Sequence, residues 1–141
     1  MADRILVGYD GSDPSAAALE YALETFPEAT ITALYVVQIP AGTVAALEGP
    51  ELRLPLSERG REHATDVLEG AIERAAERGR DLETEIATGK PDHRLVEHAV
   101  DEGYDTIVVG SHGRDGVSRL LLGTVAESVV RRAPMPVVVV R

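Results

Sequence analysis

The sequence contains no cysteine. A chain without thiols cannot carry a disulfide, a thiolate nucleophile or a cysteine-bound metal. It also lacks an apolar run of about 18 residues, which a membrane-spanning helix would need. Its opening letters, MADRILVGYDGS, lack the basic leader, hydrophobic stretch and cleavage site of a secretory signal. We therefore expect a protein that remains in the cytoplasm and has no membrane partner.

Positive charge is scarce as well. Lys90 is the only lysine, and the sequence has 24 acidic and 14 basic residues, so the net charge is -10. Phosphate-rich partners would be repelled, and we expect neither nucleic acid nor an anionic membrane as a partner. Many carboxylates with almost no lysine would suit a halophilic protein, because salt shortens the range of self-repulsion. Ordinary acidic solubility is the alternative explanation.

Short β-rich segments alternate with helical patterns along the whole chain. The predicted strands are 4–9, 30–37, 81–87, 105–110 and 135–140, and the predicted helices are 15–26, 57–78, a segment opening at 89–91, and 124–132. This alternation predicts an α/β fold with three layers, in which helices cover both faces of a five-stranded parallel sheet. The length of 141 residues suits a single domain, 1–141. Segment 81–87 alternates polar and apolar residues, so we expect it near an edge of the sheet.

In a sheet of this type, ligands bind beyond the carboxyl ends of the strands, where the strand order reverses. The loop after the fourth strand has the spacing Gly110-x2-Gly113-x9-Gly123-Thr124. Glycines allow unusual φ values and leave room for backbone amides to surround a phosphate, and Thr124 adds a helix start. Alternatively, these glycines only end a strand and begin a helix. The loop is neither a Walker loop nor a GxGxxG fingerprint, so amides, Arg114, Arg119 or a bound cation would neutralise the charge.

This spacing, preceded by DTIVVGSHG and followed by VAESVVRRAPMPVVVV, resembles the nucleotide-binding motif of the universal stress protein family. The opening RILVGYDGSDPSAAALEYAL resembles the start of the same family, and the likeness spans the chain except for 38–56. The resemblance implies a Rossmann-like, adenine nucleotide alpha hydrolase-like sheet with strand order 3-2-1-4-5. It also implies a regulatory module that binds ATP, or AMP or ADP, with Mg²⁺ or Mn²⁺ and with at most slow hydrolysis.

The resemblance also assigns site residues. Asp10, with Gly8 and Tyr9, would lie by the ribose and adenine, and Val36 would contact the adenine. The residues implied around the ribose and phosphates are Val109, Gly110, His112, Gly113, Arg114, Gly123, Thr124 and Val125.

Several of these residues have alternative interpretations. Asp10 could instead form an Asx-turn or a helix cap with Ser12 and Ser15, and Arg114 could pair with a carboxylate. The family often has Ser or Thr where Ala126 stands, so one phosphate hydrogen bond is in question. No catalytic or metal-binding residues are predicted, and His63, His93 and His98 are expected at the exposed surface without metal-like grouping.

The terminal segment MPVVVV has strong β character and could present an unpaired strand edge. The resemblance implies a homodimer formed through this strand, Pro136 to Val140. A buried strand in a monomer is the alternative. The competing function is a dimeric interaction protein that acts without nucleotide.

Overall fold

The computed structural model describes residues 3–38, 58–111 and 123–141. The described strands are β1 (Arg4–Gly8), β2 (Thr30–Val37), β3 (Glu83–Thr88), β4 (Thr106–Gly110) and β5 (Val137–Val140), and the described helices are α1 (Asp13–Thr25), α2 (Glu58–Glu77), α3 (Pro91–Asp101) and α4 (Thr124–Arg132). The predicted alternation of strands and helices is confirmed, with small shifts at the ends. The fifth strand begins at Val137 and not at 135, and Pro136, which has no amide hydrogen to donate to a ladder, stands just before it.

The five strands form one parallel sheet in the order β3-β2-β1-β4-β5, as predicted. The central strand β1 pairs with β2 on one side and β4 on the other. The chain therefore reverses its direction of winding between β1 and β4, and a crevice opens beyond their carboxyl ends. The predicted edge position of the third strand is confirmed, and β5 forms the opposite edge.

One face of the sheet is covered by α1 and α2, largely through small side chains. Fully buried alanines recur at helical spacing, which lets the helices approach the strands closely: they are Ala18, Ala22, Ala71 and Ala75. Arg80, just after α2, donates hydrogen bonds to the carbonyl oxygens of Leu23, Phe26 and Ala29 at 2.6, 3.1 and 3.0 Å. These bonds connect the segment that follows α2 to the last turn of α1 and the residues after it.

The other face is covered by α3 and α4 and includes buried polar contacts. The Tyr104 hydroxyl donates to Thr32 Oγ1 at 3.0 Å, and the Arg4 guanidinium lies 4.3 Å from the centre of the Tyr104 ring. Between the helices, Ser128 Oγ donates to Asp92 Oδ2 at 2.6 Å. Polar links thus supplement apolar packing on this face.

The prediction that His98 is solvent-exposed is wrong. The side chain is 19% exposed, its Nε2 atom lies 3.0 Å from Glu85 Oε2, and its ring centre lies 5.6 Å from that of Tyr104. The helical pattern placed His98 among polar residues, which predicted an exposed side chain. In the structure this side of α3 faces the edge strand β3. His63 and His93 are exposed, as predicted. No helix in the described parts of the chain is long and apolar enough to cross a membrane.

Candidate functional site

A cleft of about 350 Å³ lies beyond the carboxyl ends of β1, β2 and β4, at the predicted reversal point. The site residues predicted from the sequence that line it are Gly8, Tyr9, Asp10, Val36, Val109, Gly110 and Val125. Gly123 and Thr124 directly precede Val125 at the start of α4. His112, Gly113 and Arg114, like Arg119, lie outside the described residues.

The cleft also has walls that the sequence pattern did not single out. These additional lining residues are Ser12, Pro14, Ser15, Leu34, Tyr35, Gln38, Pro91 and Leu95. Ser12, Leu34, Tyr35 and Gln38 lie one or two positions from a predicted site residue, so adjacency in sequence was an available signal for these four. Pro91 and Leu95 come from α3, and only the three-dimensional packing of that helix against Gly8 brings them to the cleft.

The turn between β1 and α1 forms the polar wall of the cleft. Asp10 Oδ1 accepts a hydrogen bond from the Ser12 amide at 2.9 Å, which is the Asx-turn geometry that the sequence left open. Gly11 has a φ of +83°, a left-handed conformation that glycine adopts without steric cost. Ser12 is the N-cap of α1, and the Asp10 side chain remains exposed at the cleft. The turn therefore presents a held carboxylate to the cleft.

Gly110 is required for close packing of a strand against a helix. The described glycines with positive φ are Gly11, Gly79, Gly89 and Gly103, and Gly110 is not among them. A Cβ at Gly110 would overlap the Pro14 carbonyl group and lie 2.9 Å from Pro14 Cβ. Of the two properties expected of the loop glycines, it is the missing side chain and not an unusual φ that position 110 requires. Its missing side chain lets the end of β4 lie against the first turn of α1.

The opposite wall of the cleft is apolar. Val36, Leu95 and Val109 are at most 8% exposed and belong to the core beneath α3 and α4. Such a wall can accept the face of a planar ring. Beside it, burial and the charge of Asp10 raise the pKa of the Tyr35 phenol above its ordinary value. The His63 ring contacts Tyr35 edge-on, with 6.2 Å between ring centres.

The start of α4 borders the cleft through Val125. Gly123 is the N-cap, with φ of −63° and ψ of 160°, and no side chain caps the described first turn. The first amides of a helix have no intrahelical partners, and the helix dipole is positive at this end, so anions are favoured there. Ala126, which stands where the family often has Ser or Thr, is 1% exposed and packs into the core. The missing hydroxyl therefore corresponds to a buried position.

The described residues contain no group of three or more histidines and carboxylates that could hold a metal ion. The polar lining of the cleft is concentrated in the β1–α1 turn, with Asp10, Ser12 and Ser15. The arrangement therefore combines an apolar wall, a carboxylate and a helix start around one crevice. Those three elements suit a ligand with a flat ring, hydroxyl groups and an anionic end.

Comparison with known proteins gives a consistent assignment. The model of the universal stress protein family matches residues 1–141. Universal stress protein YxiE of Bacillus subtilis is 36% identical over 152 aligned positions, and the alignment covers 100% of both chains.

Solved structures agree with this assignment. Universal stress protein UspA from Lactobacillus plantarum has a TM-score of 0.76 at 33% identity, with 99% of this chain and 97% of that one covered. A universal stress protein in complex with cAMP has a TM-score of 0.73 at 27% identity, with 99% and 97% covered. The chain belongs to the universal stress protein family.

Proposed function

We propose that this protein binds an adenine nucleotide, in the first instance ATP, in the cleft at the carboxyl ends of β1, β2 and β4. The observation that carries the proposal is the cleft itself, where an apolar wall and a carboxylate meet beside a helix start. A solved relative at 27% identity is a complex with cAMP, which supports an adenine nucleotide as the ligand class.

Each part of the nucleotide has a partner of suitable chemistry. Val36 and Leu95 provide an apolar surface for the adenine ring, and the Asp10 carboxylate can accept hydrogen bonds from ribose hydroxyls. The phosphates would lie against the first amides of α4, at Gly123 and Thr124. His112, Gly113 and Arg114 would complete the phosphate site. A Mg²⁺ or Mn²⁺ ion would be held through phosphate oxygens, because the described residues offer no ligand cluster.

Binding, and not turnover, is the proposed activity, with at most slow hydrolysis. Universal stress proteins are generally not classical enzymes. In the cleft, the Ser12 and Ser15 hydroxyls are engaged in the turn, where Ser12 Oγ accepts from the Ser15 amide and Ser15 Oγ donates to the Ser12 carbonyl. Nucleotide occupancy would therefore act as a regulatory signal in a stress response, within a cytoplasm that we expect to be rich in salt.

The edge position of β5 supports a second proposal, that the protein forms a homodimer through Pro136 to Val140. The four valines of β5 are half-buried and pair on one side with β4. An edge strand of this kind is a template for pairing with another chain, and a second copy would cover it. A dimeric interaction protein that functions without nucleotide remains the competing function, and ligand binding separates the two.

The decisive experiment is a calorimetric titration of ATP with Mg²⁺ into the wild type and Gly113→Val at high salt. We expect wild-type binding and at least a tenfold loss in the variant, because two methyls and a Cβ would occupy the phosphate space. Gly70→Ala is the matched control, since a Cβ there would lie 3.9 Å from Tyr9 Oη in ordinary contact. Wild type that neither binds ATP nor releases nucleotide on denaturation would contradict the proposal. Light scattering on the same samples tests the dimer.

A further inference from the structure

Ser15 closes a ring of hydrogen bonds in the turn between β1 and α1. Its Oγ donates to the Ser12 carbonyl at 2.9 Å and accepts from the Asp10 amide at 3.2 Å. The Ser15 amide donates to Ser12 Oγ at 3.3 Å, and the Ser12 amide donates to Asp10 Oδ1 at 2.9 Å. Three residues that line the cleft are thus joined to one another.

The Ser15 hydroxyl is committed to this ring. The residue is 6% exposed, and the single hydroxyl hydrogen is used on the Ser12 carbonyl. A ligand could receive a hydrogen bond from Ser15 only if the bond to Ser12 were broken. The effect of Ser15 on a ligand must therefore pass through the residues that it holds.

Helix capping does not account for the position of this hydroxyl. Ser12 is the N-cap, so Ser15 stands at the third helical position, where a capping-box side chain would bind the N-cap amide. In this turn the Ser12 amide is already bound by the Asp10 carboxylate, and the Ser15 hydroxyl reaches two residues further back to the Asp10 amide. The bond therefore fixes Asp10.

Asp10 is held at both ends, by its main-chain amide and by one carboxylate oxygen. We propose that Ser15 is a positioning residue that orients the Asp10 carboxylate for a hydroxyl-bearing sugar and so sets selectivity for ribose. This inference rests on the proposed function. A carboxylate that is already oriented loses less freedom when it binds two neighbouring hydroxyls. Without the Ser15 hydroxyl, Asp10 would lose the bond at its main-chain amide, and its carboxylate would be oriented less firmly, with the bond from the Ser12 amide still in place.

The test compares the dissociation constants of ATP and 2′,3′-dideoxy-ATP for the wild type and Ser15→Ala. We expect wild type to bind the dideoxy analogue at least tenfold more weakly, because a carboxylate bonded to hydroxyls loses both partners. In Ser15→Ala we expect ATP to bind about fivefold more weakly and the discrimination to fall to about twofold. Ser15→Thr keeps the hydroxyl and should restore most of the ratio. If Ser15→Ala does not fold, Ser15→Cys is measured in its place, because a thiol has a similar shape but accepts hydrogen bonds more weakly than a hydroxyl.

Thr32→Val is the matched control. Thr32→Val removes another buried hydroxyl, one that is bonded to Tyr104 and Glu83 and does not line the cleft. It should lower the free energy of unfolding and leave the ATP to dideoxy-ATP ratio unchanged. Discrimination in Ser15→Ala that equals wild type would overturn the inference while the proposed function stands. Equal wild-type affinity for both nucleotides would also overturn it, whereas absence of any wild-type binding would contradict the proposed function itself.

Discussion

The two faces of the sheet meet their helices in different ways. Under α1 and α2 the contact is made mainly by alanines and leucines, and the core there includes Leu19, which is fully buried. Under α3 and α4 the core contains Leu95 and Val129 together with the Tyr104–Thr32 hydrogen bond. Leu95 also lines the cleft. The α1/α2 face borders the cleft through the β1–α1 turn and the first turn of α1, whereas the α3/α4 face contributes a buried core leucine directly to the cleft wall.

This difference indicates how the fold divides stability and binding. Alanines let helix backbones approach a sheet closely and lose no side-chain entropy when they are buried. Larger side chains beside an opening can contact a ligand as well as the core. We infer that the α1/α2 face mainly stabilises the protein, whereas the α3/α4 face gives up some stability to form the cleft wall.

The largest expected effect comes from shortening one leucine on each face. Leu19→Ala should lower the free energy of unfolding by about 3 kcal/mol, because the surrounding side chains are close-packed and leave a cavity. Leu95→Ala should cost about 2 kcal/mol, since the space it vacates joins the cleft. Urea denaturation at fixed salt measures both values.

The same two variants should have the opposite ranking in nucleotide binding. Leu95→Ala removes part of the apolar wall and should weaken ATP binding about fivefold, or about 1 kcal/mol. Leu19→Ala should bind ATP as wild type does. A larger loss of stability in Leu95→Ala than in Leu19→Ala would contradict the division between the faces.

Two glycines allow a matched substitution on the two faces. In Gly110→Ala the new Cβ would overlap the Pro14 carbonyl of α1, so backbone must move, and we expect a loss of about 2 kcal/mol. In Gly8→Ala the Cβ would lie 3.0 Å from Leu95 Cδ1, the end of a flexible side chain beside the cleft. That side chain can shift, and the expected loss is below about 1 kcal/mol. Thermal and urea unfolding of the pair provide the comparison, and equal losses would show that the α1 contact is as adaptable as the cleft wall.

The sequence predicted the order of elements well, because the periods of two and 3.6 residues are local properties. Segment 81–87 was correctly placed at an edge from its alternation alone. The reversal point between β1 and β4 follows from the strand order 3-2-1-4-5, which the resemblance to the family implied and which parallel pairing alone does not determine. Prediction failed for features that depend on contacts between elements distant in the chain. Gly110 packs against Pro14, and His98 lies close to Glu85. Both contacts join elements that are distant in sequence, and no local pattern encodes how such elements approach each other.

The smallest expected effect concerns the polar link between α3 and α4, and it depends on pH. Burial alone would raise the pKa of Asp92, but hydrogen bonds from Ser128 and from the His93 amide, with the charge of His93, outweigh it and lower the pKa. The ionised carboxylate is therefore favoured in the folded state. Its stabilisation is complete above the unfolded pKa of about 3.9 and is lost as pH falls through the lower folded value.

Asp92→Asn should therefore cost about 1 kcal/mol at pH 7, and the difference from wild type should shrink as the pH is lowered below about 4. Ser128→Ala should remove much of the same stabilisation, because its hydroxyl donates to Asp92 Oδ2. In a double-mutant cycle measured by urea denaturation, the two losses should then be less than additive at pH 7 and nearly independent at low pH. A difference between wild type and Asp92→Asn that grows as pH falls would mean that burial, and not the bond between the helices, governs this carboxylate on the α3/α4 face.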